Sequence, residues 1–329
     1  MENTFCAVVV DKKEEDFSVK IKDITMDDLS EGNVVIQVHY SGINYKDGLA
    51  STPNGKIVRS YPHIPGIDLA GVVVSSEDKR FKEGDKVIAT SYEIGVSHTG
   101  GYSEYARIPG DWLVPLPDGL SLKEAMIIGT AGFTAALSVQ RLEDNGLVPE
   151  KGKVLVTGAT GGVGSFGVNI LAKLGFNVVA STGKKEEEYL TKLGAKEIIG
   201  REEVYNGTIK AMDKQLWAGA IDPVGGKQLA AIISKISYNG SVAVSGLTAG
   251  GEVPTSVFPF ILRGVNLLGI DSVYCPMEER EKIWQRLASD FKPANLADFI
   301  YEEVSLAELP DKLSFILSGE IKGRIIVKI

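Results

Sequence analysis

Residues 153–174 constrain the fold more than any other stretch of the chain. Lys153-Val154-Leu155-Val156-Thr157 reads as a buried strand, glycines at 158, 161, 162 and 164 follow at once, and 165–174 continues with apolar residues at helical spacing. A strand, a glycine turn and a helix in that order need a parallel sheet to pack on. Further strands are predicted at 177–181, 218–221 and 241–245, alternating with helices that begin near Gly164, Glu186 and Gly226. Right-handed crossovers wind such units into a doubly wound sheet. Upstream the texture differs. Up to residue 125 the chain reads as short β segments, for example 33–40 and 69–74, punctuated by Gly and Pro, and 122–140 then turns helical. An amphipathic helix at 278–288 and a strand at 323–329 close the chain. With 329 residues there is room for two domains, so the class is α/β with a β-rich partner domain.

The glycines let the backbone turn without a Cβ in the way, and the helix that follows points its free N–H groups and dipole at whatever lies before it. Thr160, Gly161, Gly162 and Val163 are therefore candidate ligands of a dinucleotide pyrophosphate. Which dinucleotide depends on the end of the second strand, where a carboxylate would bond a ribose 2′-OH. Here Ser181, Thr182, Gly183 and Lys184 stand instead, and hydroxyls and a lysine suit a 2′-phosphate, so the cofactor is expected to be NADP(H). Lys184 and Lys185 also open a helix with Glu186, Glu187 and Glu188, so a solvated charged face is the competing reading for both. Arg201, after the strand-like run 197–200, can pair with the 2′-phosphate, stack on adenine, or be an ordinary surface arginine.

Composition narrows the function classes. A net charge of -8 with no basic cluster longer than a pair argues against a nucleic-acid partner. The first residues lack a signal-peptide pattern and no 18-residue apolar run occurs, so no membrane association is expected and the location reads as cytoplasmic. Cys6 and Cys275 then read as free thiols, and His39, His63 and His98 share no ligand spacing with them, so no metal is expected.

Seven segments together resemble a known family. Among them are Ser41-Gly42-Ile43-Asn44-Tyr45-Lys46-Asp47, Ile64-Pro65-Gly66-Ile67-Asp68-Leu69-Ala70-Gly71, Met126-Ile127-Ile128-Gly129-Thr130-Ala131-Gly132-Phe133-Thr134-Ala135, the glycine turn and Pro259-Phe260-Ile261-Leu262-Arg263. The chain is similar to zinc-independent medium-chain dehydrogenase/reductases of the quinone oxidoreductase branch, in the subgroup that includes acrylyl-CoA reductase. The resemblance implies a GroES-like β-rich catalytic domain at 1–125, a Rossmann doubly wound parallel-sheet domain at 126–265, and a return segment at 266–329 that completes the first domain. It also implies a homodimer formed through an edge strand of the Rossmann sheet. Zinc-using relatives place a cysteine and a Gly-His-Glu triplet at the catalytic metal, where this chain has Asn44 and Gly66-Ile67-Asp68.

Without a Lewis acid a simple carbonyl is a poor acceptor, whereas an activated alkene or a quinone needs less polarisation. The expected activity is NADPH-dependent reduction of acrylyl-CoA or a similar short enoyl-CoA. NADPH:quinone reduction and a non-enzymatic NADPH-binding redox sensor are the alternatives. Tyr45 is a candidate catalytic donor, or a wall beside the nicotinamide; Asn44 is a candidate catalytic residue, or a turn residue capping its own backbone. Thr130 and Thr134, at the start of the helix after Gly129, are candidate cofactor-lining residues or core-facing threonines, and Gly246 and Leu247 end a sheet strand where such sheets meet their ligands. By the resemblance Ser272 and Arg324 also line the cofactor, Arg324 alternatively opening an edge strand, and Arg59 and Arg263 are candidate partners of a CoA phosphate or structural arginines.

Overall fold

Lys153–Val156 lies third in a six-stranded sheet, in the order Glu197–Gly200, Asn177–Thr182, Lys153–Val156, Trp217–Asp222, Ile236–Val244, Asn266–Gly269. This is a computed structural model, and it describes residues 4–14 and 16–329. All five pairings are parallel. Val154, Leu155, Val156, Ala220, Ile221, Val242 and Ala243 are fully buried, which is why the central strands read as unbroken apolar runs: helices cover both faces. The crossover helices include Gly162–Lys173, Glu187–Leu193 and Gly226–Lys235. Strand order reverses at Lys153–Val156, which places the crevice expected of such sheets beyond its carboxyl end.

The chain divides into two units. The sheet belongs to Ala131–Ser272 together with Ser289–Ala294. Its sixth strand, Asn266–Gly269, carries this unit past residue 265, where the sequence reading had placed its limit; a four-residue edge strand has too little alternation to be read. The other unit comprises the chain up to Thr130, Val273–Ala288 and Asn295–Ile329. It is built on a sheet ordered Ile300–Ser305, Arg324–Lys328, Val34–Ile43, Asp68–Ser76, Lys86–Thr90, Leu113–Pro115, with Tyr105–Ile108 also paired to Val34–Ile43. This is the GroES-like fold, and the return of the C-terminal segment is direct: Ile325 pairs with Ile43 and Val327 with Ser41. Ile43, Tyr102, Leu309, Leu313, Ile325 and Val327 share one core cluster. Each such side chain contributes about 1.5–3 kcal/mol on burial, so the last strand is structural.

The helix Leu122–Asp144 is long and apolar enough to cross a membrane by length and composition, but 83% of its most apolar window is buried inside the protein, as in a core helix. It kinks at Gly129, whose φ of 50° and ψ of -160° are non-helical.

Candidate functional site

At the carboxyl edge of the parallel sheet, Thr157 N donates to Ile221 O at 3.1 Å and its hydroxyl donates to Asp222 Oδ1. Burial raises the pKa of Asp222, and the amides of Gly225 (2.9 Å) and Val224 (3.3 Å) oppose that rise. Gly158 then takes a φ of +53°, and a Cβ on Gly164 would lie 2.2 Å from Gly158 O, so both positions need glycine. The turn delivers Gly161 as the N-cap of Gly162–Lys173 and opens that helix's first amides outward.

Around this turn the structure gathers many of the residues singled out from the sequence. Ala159 N donates to Ser181 O (3.1 Å), Thr160 and Thr182 hydroxyls lie 3.4 Å apart, and Lys184 N donates to Thr182 Oγ1 at 3.1 Å. The Arg201 guanidinium rests on Gly183, where a Cβ would fall 2.5 Å from Arg201 Nε. Ser181 Oγ and Ser245 Oγ are buried without a hydrogen-bond partner among the described residues. Two orphaned hydroxyls, a helix N-terminus and an exposed arginine beside a lysine fit an anionic nucleotide. Gly246 backs onto Pro223, a Cβ there meeting Pro223 O at 2.1 Å, while Leu247 is exposed; Thr134 Oγ1 donates to Ser272 Oγ at 2.9 Å.

The β-rich unit holds a different kind of polar centre. Asp68, fully buried, accepts from Asn44 Nδ2 (2.9 Å), from Thr130 N (2.9 Å) and from Thr130 Oγ1 (2.5 Å). Because Thr130 spends its one hydroxyl proton on Asp68, Ser91 Oγ is the donor in the 3.1 Å bond between them. Arg324 is 3% exposed and lies with Nη2 3.6 Å from Asp68 Oδ2, donating from Nη1 to Ile43 O (3.2 Å) and Asn44 Oδ1 (2.9 Å) and from Nε to Ile127 O (3.3 Å). Asn44 is the N-cap of Tyr45–Ala50; Asp47 accepts from Asn44 N (2.8 Å) and Ile67 N (3.0 Å). Burial, with the neighbouring Asp68 charge, pushes Asp47 up to about 6. Gly129 is indispensable here: a Cβ would lie 2.6 Å from Asp68 Oδ2 and 2.7 Å from Arg324 Nη2.

The remaining predicted residues are placed as follows. Tyr45, at the first helical position, is 49% exposed, and Arg59 is exposed, with its backbone N donating to Val96 O (3.3 Å). Arg263 has another occupation: its Nη1 donates to Ser234 O (2.9 Å) and Ile236 O (3.2 Å) and its Nη2 to Asp213 O (2.5 Å), tying down the end of the helix Gly226–Lys235. Arg324 is likewise committed, inside the β-rich unit. The sequence reading missed Asp68 and Asp47 as parts of a site. Asp68 entered it only as a departure from a metal triplet, and Asp47 could have been found from the N-cap to N3 spacing of Asn44 and Asp47. Among the described residues, no group of three or more His, Cys, Asp or Glu is placed to hold a metal.

Comparison with known proteins agrees with this architecture. Residues 30–118 match the family model described as alcohol dehydrogenase GroES-like domain, and 162–289 the one described as zinc-binding dehydrogenase. The Bacillus subtilis protein named "Putative quinone oxidoreductase YhfP" is 64% identical over the whole of both chains, and its crystal structure, with NAD bound, superposes with a TM-score of 0.98. The acrylyl-CoA reductase AcuI of Ruegeria pomeroyi is 48% identical over 99% of each chain. The YhdH oxidoreductase of Salmonella enterica, solved in complex with NADP, is 46% identical over 98% of this chain and 99% of its own, with a TM-score of 0.95. The chain is thus an oxidoreductase of the medium-chain dehydrogenase/reductase superfamily and belongs to its group of quinone oxidoreductases and acrylyl-CoA reductases.

Proposed function

We propose that this chain reduces activated carbon–carbon double bonds with NADPH and without zinc, taking acrylyl-CoA or a similar short enoyl-CoA. The observation that carries this reading is Arg324, a buried cation 3.6 Å from Asp68 and hydrogen-bonded to Asn44, at the positions where zinc-using relatives hold their metal. A divalent ion would be repelled there, so carbonyl polarisation falls to hydrogen-bond donors, which suffices for a conjugated acceptor. The bound dinucleotide supplies hydride to the β carbon of the acceptor. Asn44 holds the acceptor's carbonyl oxygen as charge develops on it, and the Tyr45 phenol delivers the proton that completes the α carbon. Ser181, Lys184 and Arg201 are assigned to the 2′-phosphate, with Thr160, Gly161, Gly162 and Val163 on the pyrophosphate and Thr134, Gly246, Leu247 and Ser272 toward the nicotinamide. That YhfP was solved with NAD and YhdH with NADP makes the preference worth measuring.

The name of the Bacillus subtilis relative supports quinone as the second acceptor. Steady-state kcat/KM with NADPH or NADH, against acrylyl-CoA and a benzoquinone side by side, decides both questions. A larger value for the quinone sinks the enoyl-CoA reading, equal use of NADH sinks the 2′-phosphate assignment, and tight NADPH binding without turnover returns the chain to a redox sensor. For the assembly we propose a homodimer through the edge strand Asn266–Gly269, near which Val257, Phe258, Ile261, Leu262 and Leu267 are exposed. Cys6 and Cys275 are both free, which fits a reducing compartment such as the cytoplasm.

A further inference from the structure

One buried residue joins the carboxyl ends of three neighbouring strands of the parallel sheet. Asp222, the last residue of Trp217–Asp222 and fully buried, accepts on Oδ1 from the hydroxyl of Thr157, the residue after Lys153–Val156. Oδ1 also accepts from Val224 N (3.3 Å), and Oδ2 accepts from Gly225 N (2.9 Å). The Asp222 carbonyl oxygen accepts from Ser245 N at 3.1 Å, just past Ile236–Val244. These bonds fix where the turn Pro223-Val224-Gly225 sits on the sheet edge.

Glycines close on that turn from two sides. A Cβ on Gly158 would lie 3.3 Å from Val224 Cγ2 and 3.5 Å from Pro223 Cγ, and one on Gly246 would lie 2.1 Å from Pro223 O. Gly225 takes a φ of +73°, and a Cβ there would fall 2.8 Å from Gly246 O and 2.9 Å from Gly250 O. Ala249 N donates to Val224 O at 2.9 Å. The turn is thus wedged between the glycine turn that begins at Gly158 and the loop 246–250, and a shift of one is felt by the other.

We infer that Asp222 is a positioning residue for the cofactor: through the turn Pro223-Val224-Gly225 it sets the spacing between the backbone that meets the pyrophosphate and the backbone that meets the nicotinamide. The inference rests on the assignment given above of Thr160, Gly161, Gly162 and Val163 to the pyrophosphate and of Gly246 and Leu247 to the nicotinamide. A dinucleotide has to satisfy both at once, so a spacing that drifts costs affinity for the whole molecule and misplaces the carbon that gives up hydride. Ser181, assigned to the 2′-phosphate, ends a strand on the other side of Lys153–Val156.

Asp222→Asn tests this with little change of shape. An amide has one oxygen where the carboxylate has two, so in either orientation its NH2 faces a backbone N–H, that of Gly225 or that of Val224, and the turn loses a bond. The readouts are unfolding temperature, calorimetric Kd for NADP+ and for adenosine 2′-monophosphate, which lacks both pyrophosphate and nicotinamide, and KM for NADPH and NADH. NADP+ should bind about 10- to 100-fold more weakly and adenosine 2′-monophosphate within about threefold of native. KM should rise by similar factors for NADPH and NADH, and the unfolding temperature should fall by less than about 10 °C. Thr157→Val, which removes one donor to the carboxylate, should show the same pattern at about 3- to 10-fold, and it serves where Asp222→Asn does not fold. Native affinity for NADP+ overturns the inference. So does equal weakening of NADP+ and adenosine 2′-monophosphate, which is what a general loosening of the unit would produce. If the native protein itself binds NADP+ no more tightly than adenosine 2′-monophosphate, the assignment of the pyrophosphate and nicotinamide contacts has failed, and the inference falls with it.

Discussion

The two polar centres of this protein are built on opposite principles. At the edge of the parallel sheet, Ser181 Oγ and Ser245 Oγ have no hydrogen-bond partner among the described residues, Arg201 is exposed, and the first amides of Gly162–Lys173 are free of intrahelical partners. In the β-rich unit, Asp68 accepts three hydrogen bonds and Arg324 donates three, while Arg324 Nη2, without a hydrogen-bond partner among the described residues, rests on the 3.6 Å charge contact with Asp68, and both side chains are nearly or wholly buried. The first centre is completed from outside and the second from within. An open site can lose a group and lose only affinity, whereas a closed network that loses one member strands a buried charge.

The comparison fails first if the closed centre tolerates a missing partner. Asp68→Asn should cost about 3–5 kcal/mol of stability, because Arg324 is left buried without its countercharge, and Asp68→Asn with Arg324→Met should cost less than the single change. Urea unfolding checks both. Gly129→Val, which demands a side chain at φ +50° and against Asp68 Oδ2, should cost about 3 kcal/mol in the same assay.

The open centre predicts the converse. Ser181→Ala combined with Arg201→Ala should raise the KM for NADPH about 10- to 100-fold, leave NADH within threefold, and barely move the unfolding midpoint; equal losses for the two cofactors would place the 2′-phosphate elsewhere. Tyr45→Phe should lower kcat about tenfold or more with stability unchanged, and an unchanged kcat would leave the phenol as a wall.

The smallest expected effect sharpens the contrast by pH. Asp47 is pushed up to about 6 in the fold against an unfolded value near 4, so the folded state holds its proton longer and the Asp47 contribution to stability falls as pH rises from about 4 to 6. His63, lowered to about 4 by burial, has the opposite sign: its folded form refuses a proton that the unfolded chain takes up, so its contribution rises over about pH 4 to 6.5. The two oppose each other in the native protein. Asp47→Asn should therefore gain stability relative to wild type by about 1–2 kcal/mol as pH goes from 4 to 6, and a constant difference would show that Asp47 does not titrate there.

The architecture of the sheet edge was largely legible from the chain because its parts are local. The strand, the turn Gly158 to Gly164 and the helix are consecutive, and Ser181 to Lys184 follow one crossover later, so apolar periodicity and glycine placement carry the reading. The same logic failed at the short edge strand Asn266–Gly269, where four residues show no period, and at Arg263, where nothing local announces that its donors are spent on the carbonyls of Ser234, Ile236 and Asp213.

The closed centre belongs to the other class. Asn44, Asp68, Thr130 and Arg324 are separated by tens to hundreds of residues, and no spacing rule links them. By itself the sequence determined the dinucleotide turn and the α/β class, because each follows from the chemistry of neighbouring residues. Only the tertiary structure decided that Arg324 pairs with Asp68 and bonds Asn44. That required the C-terminal strand Arg324–Lys328 to lie beside Val34–Ile43 and Gly129 to break its helix, and in the dry interior so formed an unpaired charge is too costly to leave alone.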